Sequence, residues 1–555
     1  MKTILPKRRV HKTPRILVAD AYTIGSDKFQ SEDAKAFSTY YITARKFLST
    51  VNPSLYNEGD DRMLFFGLQR ILDRLFYEPV TMEEIYEADR FLETAKVTSR
   101  GITKFWYPRE LWVRIVEEFG GRPPIQIMAL PEGSVFYPHE PIVQVKNRVK
   151  GFGELSAWFE SKILQVWAHS ERGTQNMHWL QYCYDMVTSL EPDLSEDERW
   201  FKASLMLHDF GDRSGMNEME SEDLGMVHCY AFMGTDTFCG AYQAWKNNDE
   251  IGPVGVSVNA LAHRNVQAFL MEKDCYWNLY NVSDDGEINS MVADCYDFKR
   301  AVKDYLLPIA QDASVKQNGK IVVGRPDSGN AKDQVLYICR LALNNGLFTS
   351  RVVEYPDGSS RTLYFGTTLK FIEGDGMKFH QMKEINDALI EEGFVPYAWG
   401  LYGVGGGLRN ELKRDNTGAK YALNNVNGRS VVKFSEVRGK STLPGPLKVL
   451  RSQEAFNEQI TIVFEDEPGE NAMVEYFDGS RVEKPFGEGQ DDDFTSIKQR
   501  MMSQWKTYPK TLKNSHNEGY PISQKVLEKR EEILKFYSPH GEENQTIKTE
   551  EYAVL

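Results

Sequence analysis

The amino-acid sequence predicts an α/β fold, in which strands alternate with helices around a parallel sheet. Short apolar runs recur in the middle of the chain, and each run ends in polar or glycine-rich residues before a stretch with helical spacing. This alternation is typical of βαβ units. Because ligands of parallel sheets bind at the carboxyl ends of the strands, we expect the functional residues just after these runs. The four clearest runs are VGVSVNA (254–260), GKIVVGRPDSG (319–329), LYFGTTLKFIEGDG (363–376) and FVPYAWGLYGVGGG (394–407).

The first hundred residues predict one short strand followed by helices. The apolar residues in ILVAD (16–20) predict a buried strand. From Ser31 to Thr50 the pattern predicts a helix, with Ser31 or Asp33 as its cap. Apolar residues repeat at three- and four-residue spacing in 62–76 and 81–96, which predicts two amphipathic helices.

The remaining elements complete the predicted order. Residues 124–145 contain short β-rich runs punctuated by Pro and Gly, which predicts strands and turns. From Gly153 to Leu190 the chain predicts two helices joined near Gly173. Towards the C-terminus, 485–493 predicts an acidic loop and 525–537 predicts one further helix.

Composition and charge indicate a globular protein with a small ligand. Hydrophobic residues make up 41% of the 555 residues and charged residues 26%, which excludes a disordered or fibrous chain. The length gives a starting estimate of three or four domains of about 150 residues. The net charge of −14 argues against a nucleic-acid partner and leaves room for a local basic pocket that binds a small phosphorylated ligand.

The cysteines and the N-terminus point to a reducing compartment. None of the six cysteines forms a C-x-x-C pair, so neither a disulfide framework nor a zinc site is expected. The first residues lack the apolar stretch and cleavage site of a signal peptide. No run approaches the roughly 18 apolar residues of a membrane span. We therefore expect a soluble, cytoplasmic protein.

The glycine-rich segment GLYGVGGGLRNELKRD (400–415) is a candidate phosphate site. Gly405 and Gly406 precede a helix-like run, where free backbone N–H groups can bind phosphate. The alternative is a tight glycine turn with a solvated basic face. The spacing is not that of a P-loop, which weakens a P-loop kinase. The basic residues that follow are Arg414, Lys420, Arg429, Lys433, Arg438 and Lys440.

Two further strand ends carry aspartates beside glycine. In GRPDSGN (324–330), Asp327 can accept hydrogen bonds from sugar hydroxyls and Arg325 can hold a phosphate bidentately. Asp375 in EGDG (373–376) is similar. Each segment alone is equally consistent with a turn that has an Asx cap. Together with the glycine loop, they predict a ribose-phosphate site.

Two other residues could recognise a planar, amide-bearing ring, and His263 after the run 254–260 could be a catalytic residue. Phe210 in LHDFGDRSG (207–215) can stack on a heterocycle, and Asp236 in FMGTDT (232–237) can accept from an amide N–H₂ group. The alternatives are a core Phe, a helix-capping Asp and, for His263, a structural histidine. The chain has neither H-E-x-x-H nor G-x-S-x-G, which weakens a metallohydrolase and a serine hydrolase.

In order and type, these motifs resemble those of the nicotinate/nicotinamide phosphoribosyltransferase family, and most closely its nicotinamide-using members. The resemblance covers roughly residues 15–490 and rests on HDFGDRSG, FMGTDT, His263, RPDSGN, EGDG and GVGGGLRNELKRD. It implies the fold of a type II phosphoribosyltransferase, which is an irregular α/β barrel with an α+β domain built largely from the N-terminal part. The implied division is an N-terminal α+β domain with dimer contacts (1–150), a barrel core (151–460) and a C-terminal region that packs back on the N-terminal domain and ends in a polar tail (461–555).

The implied reaction joins nicotinamide to 5-phosphoribosyl-1-pyrophosphate and gives nicotinamide mononucleotide and pyrophosphate in NAD salvage. The resemblance further implies a homodimer with shared active sites. Mg²⁺ would be held mainly by pyrophosphate, and ATP would be a co-substrate that stimulates the reaction through a phosphohistidine. No nucleic-acid or membrane partner is implied.

The resemblance also implies site residues, position by position. Phe210 and Tyr22 of the partner subunit would sandwich the pyridine ring, with Asp236, Arg213 and Ser290 at the amide. The implied catalytic residues are His263, which ATP would phosphorylate, Asp294, which would orient it, and Asp327. The implied ribose and phosphate contacts are Arg45, Arg325, Asp327, Gly374, Asp375, Gly405, Gly406, Arg414, Lys420 and Lys433. Two positions depart from the family pattern, namely Ala262 where Glu usually precedes the histidine, and Gly418 where Ser is common.

Three rival functions remain for testing. A nicotinate phosphoribosyltransferase would share the fold, but Asp236 argues against it because a carboxylate repels the carboxylate of nicotinate. A catalytically silent homologue with a binding or signalling role would not need the intact set of site residues. A P-loop or histidine-kinase-like phosphotransferase would need nucleotide motifs that the sequence lacks.

Overall fold

Two sheets organise the chain, which we describe from a computed structural model. The structure describes residues 11–434, 441–451, 460–479, 492–512 and 522–537. One sheet has seven strands and the other six. Arg438, Lys440 and most of the predicted acidic loop (485–491) lie outside the described residues. In the described part of the chain, no helix has both the length and the apolar character needed to cross a membrane.

The seven-stranded sheet is parallel throughout and carries the predicted βαβ units. A parallel bridge between Gly234 and Val256 links its two ends, because Val256 lies just before the first strand of the sheet. The sheet therefore curls into an irregular barrel, which confirms the predicted fold class. In spatial order, its strands are Asn259–Ala260, Ile288–Val292, Ile321–Arg325, Leu369–Glu373, Gly400–Val404, Leu207–Asp209 and Gly234–Thr235.

Helices connect and cover these strands. Several begin at a side-chain cap, as at Asn217 and Asn330, whose side chains accept a backbone N–H three residues on. The helical segments of this part are Val166–Leu190, Glu196–Ser204, Asp212–Ser214, Glu218–Ala231, Phe238–Lys246, His263–Gln267, Glu272–Val282, Phe298–Arg300, Ala301–Leu306, Leu307–Lys316, Ala331–Asn344, Phe379–Glu391, Pro396–Trp399, Gly406–Arg409 and Arg414–Thr417.

The six-stranded sheet is antiparallel and collects strands from distant parts of the chain. The strand Lys420–Val426 belongs by prediction to the barrel core, yet it pairs with Ser38–Thr43 in this sheet, and Arg429–Ser430 follows it as the edge strand. The division of the chain into three parts stays a prediction. In spatial order, the strands are Arg429–Ser430, Lys420–Val426, Ser38–Thr43, Val143–Asn147, Ile125–Ala129 and Val474–Phe477.

Shorter elements complete the described chain. The two-stranded sheets pair Met63–Leu64 with Val135–Phe136, Lys96–Thr98 with Gly101–Thr103, Phe348–Glu354 with Ser360–Gly366, and Leu447–Arg451 with Ile460–Phe464. The other helical segments are Arg15–Leu17, Ala21–Ile24, Ser26–Phe29, Glu32–Ala36, Leu48–Val51, Leu68–Phe76, Met82–Leu92, Arg109–Phe119, Gly153–Trp158, Glu160–Ile163, Phe494–Thr507 and Gln524–Phe536.

Two predictions near the N-terminus are wrong. Residues 16–20 do not form a strand, because the buried Arg15 side chain binds Glu84 and the carbonyl of Leu75 and fixes a helical turn at Arg15–Leu17. Ser31 caps a helix as predicted, but that helix ends at Ala36. The run STYYIT that follows is rich in β-branched and aromatic residues and forms a fully buried strand.

The helix predicted over 62–76 begins later than expected, and Gly173 does not separate two helices. Met63–Leu64 is a short strand, and the helix starts at Leu68. Gly173 lies inside the continuous helix Val166–Leu190, where a Cβ would come within 2.4 Å of the Phe66 ring. This glycine therefore allows close packing of the helix and does not break it.

Candidate active site at the carboxyl ends of the barrel strands

The parallel sheet brings the predicted site residues to one edge of the barrel. Each lies at or just beyond the carboxyl end of a different strand, and parallel strands end on the same side. From one edge strand of the sheet to the other, these residues are His263, Asp294, Asp327, Asp375, Gly405, Phe210 and Asp236. The structure thus brings these seven predicted residues to the same edge of the barrel.

His263 is oriented by Asp294. His263 Nε2 donates to Asp294 Oδ1 at 2.9 Å, and the other carboxylate oxygen accepts from the hydroxyl of Ser328 at 2.6 Å. With the proton on Nε2, the lone pair of the imidazole lies on Nδ1, which is 3.8 Å from Asp327 Oδ2. The ring is partly exposed, so Nδ1 can react with a ligand at the mouth of the barrel.

Asp236 has two partners that the sequence analysis missed. His208 Nε2 donates to Asp236 Oδ1 at 3.0 Å, and the Ser257 hydroxyl donates to the same oxygen. Burial alone would raise the pKa of Asp236, but these two donors hold it below the ordinary value of 3.8. Asp236 is therefore a carboxylate at neutral pH, and its side chain is 43% exposed for a ligand.

Phe210 lies in a slot between two glycines. A Cβ on Gly403 would be 1.9 Å from the Phe210 ring, and a Cβ on Gly374 would be 3.0 Å from it. The ring of His208 packs against Phe210 at a tilt, with the two ring centroids 5.1 Å apart. The Phe210 N–H donates to the carbonyl of Val404 at 2.8 Å. The Phe210 ring is thus fixed beside His208, the partner of Asp236, and close to the glycine loop.

Asp327 and Asp375 follow two neighbouring strands of the parallel sheet. Arg325 Nη2 lies 3.9 Å from Asp327 Oδ2 and donates to the carbonyl of Leu261 at 3.4 Å. Asp375 is exposed, and its N–H donates to the buried Glu373 at 3.1 Å. Burial raises the pKa of Glu373 to about 7. A cavity of about 320 Å³ opens beside Asp375 and is also lined by Ser328 and Gly329, which directly follow Asp327.

The glycine loop 405–407 has the close contacts that only glycine allows. A Cβ on Gly407 would lie 2.7 Å from the carbonyl of Met377, and one on Gly405 would lie 3.0 Å from the carbonyl of Phe210. No side chain among the described residues caps the helix Gly406–Arg409. The first N–H groups of this helix are therefore available to an anion at the barrel mouth.

The predicted pyrophosphate residues form a separate basic group on the antiparallel sheet. Arg45 Nε donates to the carbonyl of Gly418 at 2.9 Å, and burial together with the nearby Arg414 lowers the pKa of Arg45. Lys420 pairs with Thr43 in the sheet, and Lys433 is exposed at its edge. Within the described residues, the hydrogen bonds and ion pairs of Arg45, Arg414 and Lys420 do not reach the barrel strand ends.

Three predicted nicotinamide contacts, Tyr22, Arg213 and Ser290, form no hydrogen bond, ion pair or ring contact with Phe210 or Asp236 among the described residues of a single chain. Tyr22 is 72% exposed in the helix Ala21–Ile24, and none of the ring contacts among the described residues joins it to Phe210. Arg213 is exposed in the turn after Phe210. Ser290 is buried in the strand Ile288–Val292. Their roles stay predictions, as do those of the other site residues.

A protein-built metal site is not evident in the described ranges. Among those residues, no group of three or more His, Cys, Asp or Glu side chains is arranged to hold a metal ion. The aspartates at the barrel mouth therefore do not form a closed coordination shell of their own within this part of the chain.

Comparison with known proteins decides the family. Residues 205–467 match the model of the nicotinate phosphoribosyltransferase (NAPRTase) family. This part of the chain is a nicotinate phosphoribosyltransferase family domain. The family match covers the strands and loops that carry Phe210, Asp236, His263 and Asp375. The prediction of a phosphoribosyltransferase, which is a pentosyltransferase, is thereby confirmed. The activity is phosphoribosyl transfer to nicotinate or nicotinamide in NAD biosynthesis.

Two curated relatives match a longer part of the chain than the family domain alone. The nicotinamide phosphoribosyltransferase of Xanthomonas campestris pv. campestris (strain 8004) is 28% identical over 404 residues, which cover 71% of this chain and 81% of the relative. The nicotinamide phosphoribosyltransferase of Acinetobacter baylyi (strain ATCC 33305 / BD413 / ADP1) is 25% identical over 434 residues, covering 73% and 82%.

Two solved structures share the fold. Human nicotinic acid phosphoribosyltransferase superposes with a TM-score of 0.60 at 12% identity and covers 93% of this chain and all of its own. The nicotinate-nucleotide pyrophosphorylase from Pyrococcus furiosus gives a TM-score of 0.53 at 14% identity and covers 91% of this chain and 99% of its own. At these identities the likeness concerns the barrel and the antiparallel sheet, and not the choice of pyridine.

Proposed function

We propose that the protein is a nicotinamide phosphoribosyltransferase that joins nicotinamide to 5-phosphoribosyl-1-pyrophosphate in NAD salvage. The observation that carries this proposal is Asp236, an ionised carboxylate that binds His208, whose ring in turn packs against Phe210. Both curated relatives that match most of the chain carry the name nicotinamide phosphoribosyltransferase.

Asp236 selects the amide. Its Oδ1 is occupied by His208 and Ser257, which leaves Oδ2 to accept a hydrogen bond from the N–H₂ group of nicotinamide. A carboxylate in the position of the amide would place two negative charges in contact, and neither would gain a donor. Arg213 and Ser290 would complete the amide pocket.

The ring is held by stacking between two subunits. Phe210 supplies one face, and Tyr22 of the partner subunit would supply the other. The high exposure of Tyr22 in one chain supports a homodimer with shared sites. Stacking fixes the ring nitrogen of nicotinamide over C1′ of the ribose, which is a proximity effect.

Charge placement supports the chemical step. When the C1′–pyrophosphate bond breaks, positive charge develops on the ribose and negative charge on the leaving group. Asp327 and Asp375 would bind the ribose hydroxyls, and Arg325 with the Gly405–Gly406 N–H groups would hold the 5′-phosphate. The basic group Arg45, Arg414, Lys420 and Lys433, partly across the dimer interface, would stabilise pyrophosphate. Preorganised charge of this kind is usually the largest catalytic contribution.

Mg²⁺ would enter with the pyrophosphate and supply further neutralisation of its charge. The protein residues would then orient the substrate around the ion, and Asp327 is the nearest carboxylate to the predicted phosphate contact Arg325.

His263 is the proposed site of ATP coupling. Asp294 fixes the proton on Nε2, so that Nδ1 can attack the γ-phosphorus of ATP. The N–P bond forms as the bond to the β–γ bridging oxygen breaks, and ADP leaves. The negative phosphoryl group on His263 would then lie beside Asp327, where it can influence how pyrophosphate is bound.

The experiment is a pyrophosphate-release assay with 5-phosphoribosyl-1-pyrophosphate, Mg²⁺ and either nicotinamide or nicotinate, with and without ATP. We expect release with nicotinamide, little with nicotinate, and faster release with ATP. Preference for nicotinate would refute the amide specificity. No release with either pyridine would favour a silent homologue.

The shared site has its own test. Tyr22→Ala and Phe210→Ala should each inactivate the homodimer, and mixed dimers of the two variants should regain activity, because one of their two sites is then intact. Without recovery on mixing, the assignment of Tyr22 to the partner's site would be wrong.

A further inference from the structure

A buried group of charges lies directly beneath the ring-binding and phosphate-binding loops. Arg409 Nη2 donates to Asp209 Oδ2 at 2.9 Å, and Arg172 Nη2 approaches Asp209 Oδ1 at 3.5 Å. All three side chains are at most 1% exposed. Neither Arg172 nor Arg409 belongs to the predicted site, and no part of the proposed chemistry uses them.

The three side chains carry a net positive charge. Burial alone would raise the pKa of Asp209, but Arg409, together with smaller contributions from His228 and Arg172, lowers it to about 2. Burial lowers the pKa of Arg172 to about 10, which still leaves the guanidinium charged at neutral pH. Burial lowers the pKa of His228 to about 3, so this imidazole is neutral. One aspartate is thus balanced by two arginines.

Asp209 connects the two halves of the nicotinamide site. Its side chain binds Arg409, its carbonyl accepts from the N–H of Asp236 at 2.8 Å, and the next residue is Phe210. A shift of the Asp209 backbone would therefore move both the stacking ring and the amide acceptor.

Arg409 connects this site to the glycine loop. It ends the helix Gly406–Arg409, which begins directly after Gly405. The backbone after Phe210 lies against the guanidinium, since a Cβ on Gly211 would be 2.1 Å from Arg409 Nε. Arg409 Nε and Nη1 are buried without a hydrogen-bond partner among the described residues, so the guanidinium is positioned chiefly by Asp209 and by packing.

We propose that Asp209 and Arg409 are positioning residues that couple binding of the phosphoribosyl group to binding of the pyridine. A 5′-phosphate at the glycine loop attracts the buried positive charge and stiffens the helix Gly406–Arg409. Arg409 transmits this order to Asp209, which holds Phe210 and Asp236 in their binding positions. The inference rests on the proposed function, because the phosphate and pyridine sites are assigned there.

The test measures coupling between two ligands that do not react. Nicotinamide binding is titrated by calorimetry with and without saturating ribose 5-phosphate, in the wild-type protein and in Arg409→Leu, Arg409→Lys and Asp209→Asn. We expect ribose 5-phosphate to raise the affinity of the wild type for nicotinamide at least about fivefold. This factor should fall below about twofold in Arg409→Leu and Asp209→Asn, and Arg409→Lys should retain part of it, because lysine keeps the charge but lacks the planar fork.

A matched control separates coupling from loss of fold. Arg340 is exposed and donates to Glu392 at 2.9 Å on the outside of the barrel, so Arg340→Leu should leave the coupling factor unchanged. If Asp209 and Arg409 had a purely structural role, their replacement would lower the affinity for both ligands equally and leave the coupling factor unchanged. That result would overturn the inference. If Arg409→Leu does not fold, the coupling factor of Asp209→Asn still decides the question, because asparagine has nearly the same shape as aspartate and lacks its charge. Wild-type protein that transfers no phosphoribosyl group to either pyridine would instead overturn the proposed function.

Discussion

Replacing Asp236 should change which pyridine the enzyme prefers. In Asp236→Asn, the shape of the side chain and one acceptor oxygen remain, but the negative charge is lost. Asp236→Ser also removes the oxygen that accepts the amide N–H₂ group. We expect both variants to shift the ratio of kcat/KM for nicotinamide over nicotinate towards nicotinate, and Ser to shift it more.

The size of the shift follows from the charge and exposure of Asp236. Two unit charges 4 Å apart repel by about 4 kcal/mol at an effective dielectric constant of about 20. The Asp236 side chain is 43% exposed, so water screens part of this repulsion. A remaining penalty of about 1–2 kcal/mol corresponds to a factor of about 5–30 in the ratio. Ser should add to this, because a hydrogen bond to a charged group contributes about 1.5–3 kcal/mol.

The assay measures initial rates with each pyridine from pH 5 to 8. Because the pKa of Asp236 lies below 3.8, the wild-type carboxylate stays ionised over this range and its contribution to the amide preference should not change. Asp357→Asn removes one negative charge from an exposed turn and should leave the ratio unchanged. An unchanged ratio in both Asp236 variants would refute the role given to this residue.

Three further predictions address the ring slot, the histidine and the buried core. Gly403→Ala should raise the KM for nicotinamide at least about tenfold, because its Cβ would overlap the Phe210 ring, and Gly374→Ala should have a smaller effect; equal effects would contradict the slot geometry. His263→Ala should abolish stimulation by ATP and leave slow transfer, whereas retained stimulation would exclude the phosphohistidine. His228 is neutral in the fold, with a pKa of about 3 against an ordinary 6.5. Wild-type stability should therefore fall relative to His228→Gln as the pH drops below 6.5, by up to about 1.4 kcal/mol per pH unit in chemical denaturation, and a pH-independent difference would contradict this.

The barrel could be predicted because its signals are local. Each strand is a short apolar run, and each carboxylate follows within a few residues of a strand end. The parallel arrangement then places Asp236, Asp327 and Asp375 on one side without any further information. Glycines in the sequence also helped to predict the site, because they mark places where two chain segments come too close for a side chain, as at Gly405.

Other features depend on the folded structure. His208 lies two residues before Phe210, and this spacing on a strand was the one sequence signal for its role beside Asp236. Ser257 reaches Asp236 only because the sheet curls. The strand Ser38–Thr43 was mistaken for helix because its burial on both faces hides the alternation that identifies a half-buried strand. The pairing of Asp209 with Arg409 joins residues 200 positions apart, which no local pattern indicates.

The most direct test of the proposed activity is a competition between the two pyridines. The enzyme is given equal concentrations of nicotinamide and nicotinate with limiting 5-phosphoribosyl-1-pyrophosphate, and the two mononucleotides are quantified by mass spectrometry. The geometry of Asp236 and Phe210 predicts that nicotinamide mononucleotide dominates the product. Predominance of nicotinate mononucleotide would contradict the amide specificity, and the absence of both products would contradict the proposed enzyme activity itself.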